Sequence, residues 1–152
     1  MKILYCRSKD PISWIIRVLT WSDWSHVVVL STDNEKCYEA RWPRVREATL
    51  AQVLANNTIV RAVNHHIISP QNAIEWCRSQ VGKPYDIIAL FGFILHRARN
   101  WQNPTKWFCS EFAAMAWEQG GSPFFRKDVV TRVTPQMLWM IPGKECDPCT
   151  LK

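Results

Sequence analysis

The alternation of apolar and polar positions sets out a mixed order of strands and helices. Ile3 to Cys6 is a short apolar run and predicts a strand. Asp10-Pro11 then opens a helix, with Asp10 as N-cap and Pro11 at the first helical position. Ile12, Ile15, Ile16 and Leu19 recur at i, i+3, i+4 and i+7, one apolar stripe. His26 to Leu30 is a β-branched run and Lys36 to Ala40 its return, with turn-like Ser31 to Glu35 between them, so a hairpin is expected. Leu50, Val53 and Leu54 predict a short helix ending at Asn56-Asn57, and Thr58 to Val63 a further strand. Ser69-Pro70 starts a second capped helix with Ile74, Cys77 and Val81 on one face and Gly82 at its end. After an apolar segment, Ile87 to Leu95, and a basic stretch near 96–100, Ser110 to Gln119 reads as a third helix closed by Gly120-Gly121. Val129 to Val133 predicts one more strand. The fold class is therefore α+β, an antiparallel sheet packed against several helices, with one domain over 1–142 and an irregular tail over 143–152.

Composition narrows the classes. A chain of 152 residues suits one domain. An apolar content of 47% with nine Trp and only five Gly excludes disorder and collagen-like repeats. No run approaches the roughly 18 apolar residues of a membrane span. The first residues turn polar at Arg7, before a signal-peptide core could form, so the expected location is cytoplasmic as synthesised, with release by lysis or another route. Cys6, Cys37, Cys77, Cys109, Cys146 and Cys149 then read as thiols. The net charge of +6, from 19 basic against 13 acidic residues, is spread without a basic run. It suits an anionic cell-wall or membrane surface. Nucleic acid is disfavoured, because no reading motif or basic stripe accompanies the charge.

Cys109 is the most informative cysteine. It stands at the first turn of the third helix, on the stripe of Phe112, Ala113, Ala116 and Trp117, which turns its sulfur toward the protein body. A helix N-terminus stabilises a thiolate, and its free N–H groups can bind an oxyanion. Most single cysteines are instead small buried core residues. A nucleophile needs a base, and a base needs an orienting group. With a Thr32-Asp33 turn, His26 and Glu39 would be direct cross-strand partners; with the turn one residue later they become diagonal neighbours on the same face. Glu39 could then accept one imidazole N–H and leave the other ring nitrogen for Cys109. Standing alone, either residue reads as a role-free strand position.

The order Trp24-Ser25-His26-Val27-Val28-Val29, Tyr38-Glu39-Ala40, Gly82-Lys83-Pro84-Tyr85-Asp86 and Phe108-Cys109-Ser110-Glu111-Phe112 resembles the NlpC-like branch of the papain-like cysteine hydrolases. It is similar to the circularly permuted, YiiX-like subgroup, in which histidine precedes cysteine, an order shared by lecithin:retinol acyltransferases. The resemblance runs from about residue 3 to 140. It implies Cys109 as nucleophile, His26 as base and Glu39 as third residue, with Tyr85 lining the substrate cleft beside Trp24, and Ser110 or Cys109 N–H at the oxyanion. The acyltransferase branch usually carries a second histidine where this chain has Glu39, which favours the YiiX-like side.

The function expected is hydrolysis of an amide, such as a cell-wall peptide, through a thioester acyl-enzyme. The alternatives are a lipid acyl hydrolase or acyltransferase, and a non-catalytic binding module on the same fold. No cofactor or metal is expected. Cys146 and Cys149 form a lone CxxC, half of a zinc site at most, and His65-His66 read as loop or solvent histidines. The scattered tryptophans read mostly as core. Arg97, Arg99, Trp101 and Lys106 are a candidate basic-aromatic lip before Cys109.

Overall fold

The computed structural model describes residues 1–9, 11–86, 105–126 and 129–148. The Asp10 cap, the Ile87–Leu95 segment, Arg97, Arg99, Trp101 and Cys149 lie outside them, as does the Ile12 side chain.

A six-stranded antiparallel sheet forms the centre, in the order β4-β3-β2-β1-β5-β6. Its strands are β1 (Lys2–Ser8), β2 (His26–Leu30), β3 (Lys36–Arg41), β4 (Arg44–Thr49), β5 (Asn57–Asn64) and β6 (Lys144–Cys146). The helices are α1 (Pro11–Thr20), α2 (Leu50–Asn56), α3 (Pro70–Ser79), α4 (Cys109–Gln119) and α5 (Pro135–Trp139). β1 is buried on both sides because the period-2 alternation feeds two clusters. Ile3 and Tyr5 join Val27, Val29 and Tyr38 against Phe112, Ala116 and Trp117 of α4. Leu4 and Cys6 join Val28, Leu30 and Cys37 against Val53 of α2. Each fully buried large side chain, Trp117 and Phe112 among them, contributes about 1.5–3 kcal/mol by leaving water.

The expected hairpin forms with Val29 opposite Tyr38 and Leu30 opposite Cys37. Ser31 N–H closes the loop on Lys36 O at 2.8 Å, and Asn34 takes the left-handed conformation (φ 63°) that asparagine tolerates. The expected helices at 50–56, 70–79 and 109–119 form too, the first with a Thr49–Gln52 capping box and the second with a Ser69 cap and Pro70 at its start.

Five expectations are corrected. The α1 stripe splits: Ile16 is buried and Leu19 half-buried, but Ile15 faces solvent, and Val81 beyond α3 is likewise exposed. Val129 to Val133 is no strand but a single 3-10 turn (Val130–Arg132), since Val133-Thr134-Pro135 is already the capped entrance to α5. The tail is not irregular, because Lys144–Cys146 adds β6 to the edge of β5. His65 is no solvent histidine; it is buried beside the Tyr5 hydroxyl, 3.1 Å from its Nε2, while His66 is exposed.

Candidate functional site

The site lies at the sheet end where β1 stops, β2 starts and β3 stops. Ser25 is pinned there by three contacts: its N–H donates to Cys6 O at 3.0 Å, its hydroxyl accepts from Ser8 N–H at 2.9 Å, and Ser13 of α1 donates to it at 2.7 Å. The next residue, His26, opens β2 with a fixed backbone. Continuing the hairpin register sets Glu39 opposite Val28 and diagonal to His26, on one face, as the later of the two turn positions predicts. The two meet there: His26 Nε2 donates to Glu39 Oε2 at 2.6 Å, and both are buried.

The other Glu39 oxygen is held by a residue the sequence reading missed. Arg46 stands directly opposite Glu39 on β4 and donates to Oε1 from Nε at 2.7 Å and from Nη2 at 2.6 Å. The sequence signal was weak: Arg44 to Thr49 is short and mostly polar, its buried Val45 and Ala48 three residues apart rather than alternating. The Glu39 carboxyl is thus fully bonded while only 1% exposed. Burial raises its pKa, but the His26 bond and charge and the Arg46 charge outweigh that and hold it down near about 2.

Cys109 is the other side chain that acts on the His26 ring, and it favours the charged imidazole. With Nε2 committed to Glu39, Nδ1 is the nitrogen left for the sulfur. Burial works against an imidazolium, yet Cys109, the Glu39 bond and the Glu39 charge win, and the His26 pKa is raised to about 9. Hydrogen bonds therefore join Arg46, Glu39 and His26, and the electrostatic influence of Cys109 on His26 extends the arrangement to a fourth element.

Cys109 is the first residue of α4 and is wholly buried. Ile16 and Phe108 pack on it, with Leu19 and Tyr85 at the margin. The first intrahelical bond of α4 is Phe112 N–H to Phe108 O, so the N–H groups of Cys109 and Ser110 have no partner within the helix. Tyr85 sits 5.8 Å from the Phe108 ring, and burial together with the nearby Cys109 pushes its phenol pKa well up. The Ser110 hydroxyl donates to Val133 O, which ties the Cys109 turn to the segment before α5. Glu111, in the same first turn, accepts from the Phe108 backbone, and burial with the charge of Asp86 raises its pKa to about 7. Cys109, His26, Glu39, Tyr85 and Ser110 are thus brought together. Trp24 is not with them: it is buried in the central core between Tyr5 (6.1 Å) and Trp139 (4.8 Å). Lys106 is half-buried ahead of Trp107.

No known protein family matches the sequence, and no curated protein does. Solved structures do match. One is the metalloprotein yiiX from Escherichia coli O157:H7, with a TM-score of 0.73 and 19% identity, covering 96% of this chain and 94% of that chain. The protein is therefore an α+β protein with a YiiX-like fold, carrying a buried Cys-His-Glu arrangement at one end of its sheet. Among the described residues no group of three or more His, Cys, Asp and Glu side chains is placed to hold a metal ion. None of their helices is long and apolar enough to cross a membrane.

Proposed function

We propose that the protein is a cysteine hydrolase with Cys109 as nucleophile, His26 as base and Glu39 as the residue that orients His26. The observation that carries this reading is the buried His26–Glu39 hydrogen bond, backed by Arg46, on an imidazole whose charged form Cys109 favours. A merely structural cysteine has no use for an imidazole fixed in this way. The reaction runs in two steps. Cys109 passes its proton to His26 Nδ1 and the sulfur attacks the carbonyl carbon. The oxyanion is received by the N–H groups of Cys109 and Ser110, and His26⁺ returns the proton to the departing amine or alcohol, leaving a thioester. Water then gives a proton to His26, attacks the thioester and releases the acid and the Cys109 thiol.

The first substrate reading is a peptide amide such as a cell-wall stem peptide, supported by the +6 charge, which suits an anionic wall polymer. The second is a lipid acyl group, favoured by three tryptophans, Trp14, Trp21 and Trp42, that stand exposed. The fold neighbour is described as a metalloprotein. The donor set here does not fit a metal, because Arg46 and His26 occupy both Glu39 oxygens and Glu39 occupies one His26 nitrogen. No step is routed through one.

The test is the alkylation rate of each cysteine against pH, read by mass spectrometry, in the wild type and in His26→Ala. The reading expects Cys109 to react faster below pH 7 than Cys6, Cys37 or Cys77, and to lose that advantage in the variant. A Cys109 that reacts no faster than the other buried thiols, or is indifferent to His26, returns the fold to the binding-module reading.

A further inference from the structure

We infer that the sheet end carrying Cys109 docks on an anionic lipid surface through the outer face of α1. This goes beyond the catalytic reading, because docking requires no turnover. The first observation is the exposed apolar side of α1. Trp14 and Val18 lie at i and i+4 on α1, Trp21 follows the helix directly, and the three are 63%, 52% and 92% exposed. Ile15 extends it. Soluble surfaces tolerate single exposed apolar residues, but three on one short helix and a fourth just beyond its end form a patch that marks an interaction site. Trp21 adds a cost, since its backbone is left-handed (φ 49°), a conformation unfavourable for a bulky residue, and its ring gains no packing in return.

The second observation is charge. Arg17 stands three residues from Trp14 on α1, and its Nε is buried with no hydrogen-bond partner among the described residues. Lys9 precedes the helix and is exposed. α1 contains no acidic residue. Asp23, the exposed carboxylate that follows it, is held by Arg7 at 2.9 Å. Lys9 donates to Ala55 O at 2.7 Å and keeps its charge, and tryptophan rings beside basic residues match the headgroup region of an anionic bilayer: the indole takes the interface, and the cation meets phosphate.

The third observation is place. α1 leaves β1 after Ser8 and returns to His26, so it crosses the catalytic end of the sheet. Its inner side, Ile16 and Leu19, is the cover over Cys109. Trp42, 63% exposed, follows Arg41 at the same end, where Arg41 reaches the Ser8 hydroxyl at 3.2 Å, and exposed Arg44 stands two residues on. The apolar and basic surface therefore lies at the same end of the sheet as the thiol.

The experiment is flotation of the full chain with vesicles of phosphatidylglycerol and phosphatidylcholine, against phosphatidylcholine alone. It uses Cys109→Ala, so that docking is measured with the chemistry removed and neither outcome depends on the other. The expected result is flotation with the anionic vesicles, weakened by salt, and reduced roughly tenfold by Trp14→Ala or by Trp21→Ala. Both rings are exposed, so near-ultraviolet circular dichroism should stay unchanged in each variant. Absence of flotation with anionic vesicles, or flotation that survives the double substitution W14A/W21A, overturns the inference and assigns the face to a protein partner.

Discussion

Glu39 illustrates how one buried carboxylate is made tolerable: Oε1 takes two N–H groups from Arg46, and Oε2 takes one from His26. Replacing Arg46 by Met keeps the stem of the side chain and removes the donors, leaving a buried oxygen unbonded. Arg46 itself is 45% exposed and Glu39 keeps His26, so the loss is set below that for a wholly buried pair, at about 1–3 kcal/mol. Urea unfolding of Arg46→Met at pH 7 checks it, and an unchanged midpoint would show that water replaces the guanidinium. Cys109, His26 and Glu39 were legible in the sequence because each sits beside a strong local signal, a helix start or a β-branched strand. Arg46 was not, because its role exists only through its cross-strand partner. Glu111 offers a second residue-scale prediction. Its pKa is raised to about 7 by burial, with Asp86 adding to it, against a usual value of 4.5. A carboxyl with a raised folded pKa loses stability as pH climbs from the unfolded value through the folded one. Glu111→Gln removes that loss and keeps a carbonyl for the Phe108 N–H. The variant should therefore be more stable than wild type at pH 8, by about 1–2 kcal/mol, and the gap should shrink at pH 5. Thermal unfolding at the two pH values reads the difference directly.

At the scale of elements, α1 and α4 divide the task of holding the thiol. α4 is anchored at its far end, where Gly120 O accepts from Ser69 N–H at 2.8 Å and a Cβ on Gly120 would meet Ile67 Cδ1 at 2.9 Å and Ser69 O at 3.2 Å. Gly120→Ala should push α3 and α4 apart and cost about 1–3 kcal/mol in urea unfolding. α1 instead supplies the cover. Leu19 is half-buried over Phe108 and Cys109, so Leu19→Ala should cost only about 1–2 kcal/mol while raising the alkylation rate of Cys109. A slower or unchanged rate would mean that reagent reaches the sulfur by another side. Element type was readable wherever capping chemistry was explicit, as at Thr49 and Ser69-Pro70, and in the β2–β3 hairpin, whose polar turn separates two apolar runs. It failed where composition and context disagree. Val129 to Val133 is rich in β-branched residues, yet Thr134 and Pro135 commit the chain to a helix three residues later. β4 and β6 are edge strands whose side chains mostly face water, so they lack the apolar alternation that betrays a strand, and their existence depends on the neighbour that offers hydrogen bonds.

For the whole molecule, the site's charges make stability a function of pH with separable limbs. Glu39 is held near about 2, below its usual 4.5, so its contribution is complete above pH 4.5 and disappears as pH falls toward 2. His26 is raised to about 9 from 6.5, so its contribution is complete below pH 6.5 and disappears as pH rises through 9. Glu111 tilts the interval between them downward, since its own loss spans roughly pH 4.5 to 7. Above pH 9 a different group of residues takes over. Cys6, Cys37 and Cys77 are buried and their thiols are pushed up from 9, Cys37 to about 12, so the unfolded chain releases protons that the folded chain retains. That favours unfolding further. The two alkaline causes are distinguishable by pH, because His26 loses its proton near pH 9 and the buried thiols above it. In a Glu111→Gln background, adding His26→Gln should flatten the decline of unfolding free energy between pH 6.5 and 9 and leave the decline above pH 9 intact. Chemical unfolding at half-unit steps of pH measures both slopes. If the lower slope persists without His26, the imidazolium is not held by Glu39 and Cys109 as the geometry requires, and the buried line from Arg46 to the thiol is packing rather than a charge relay poised for catalysis.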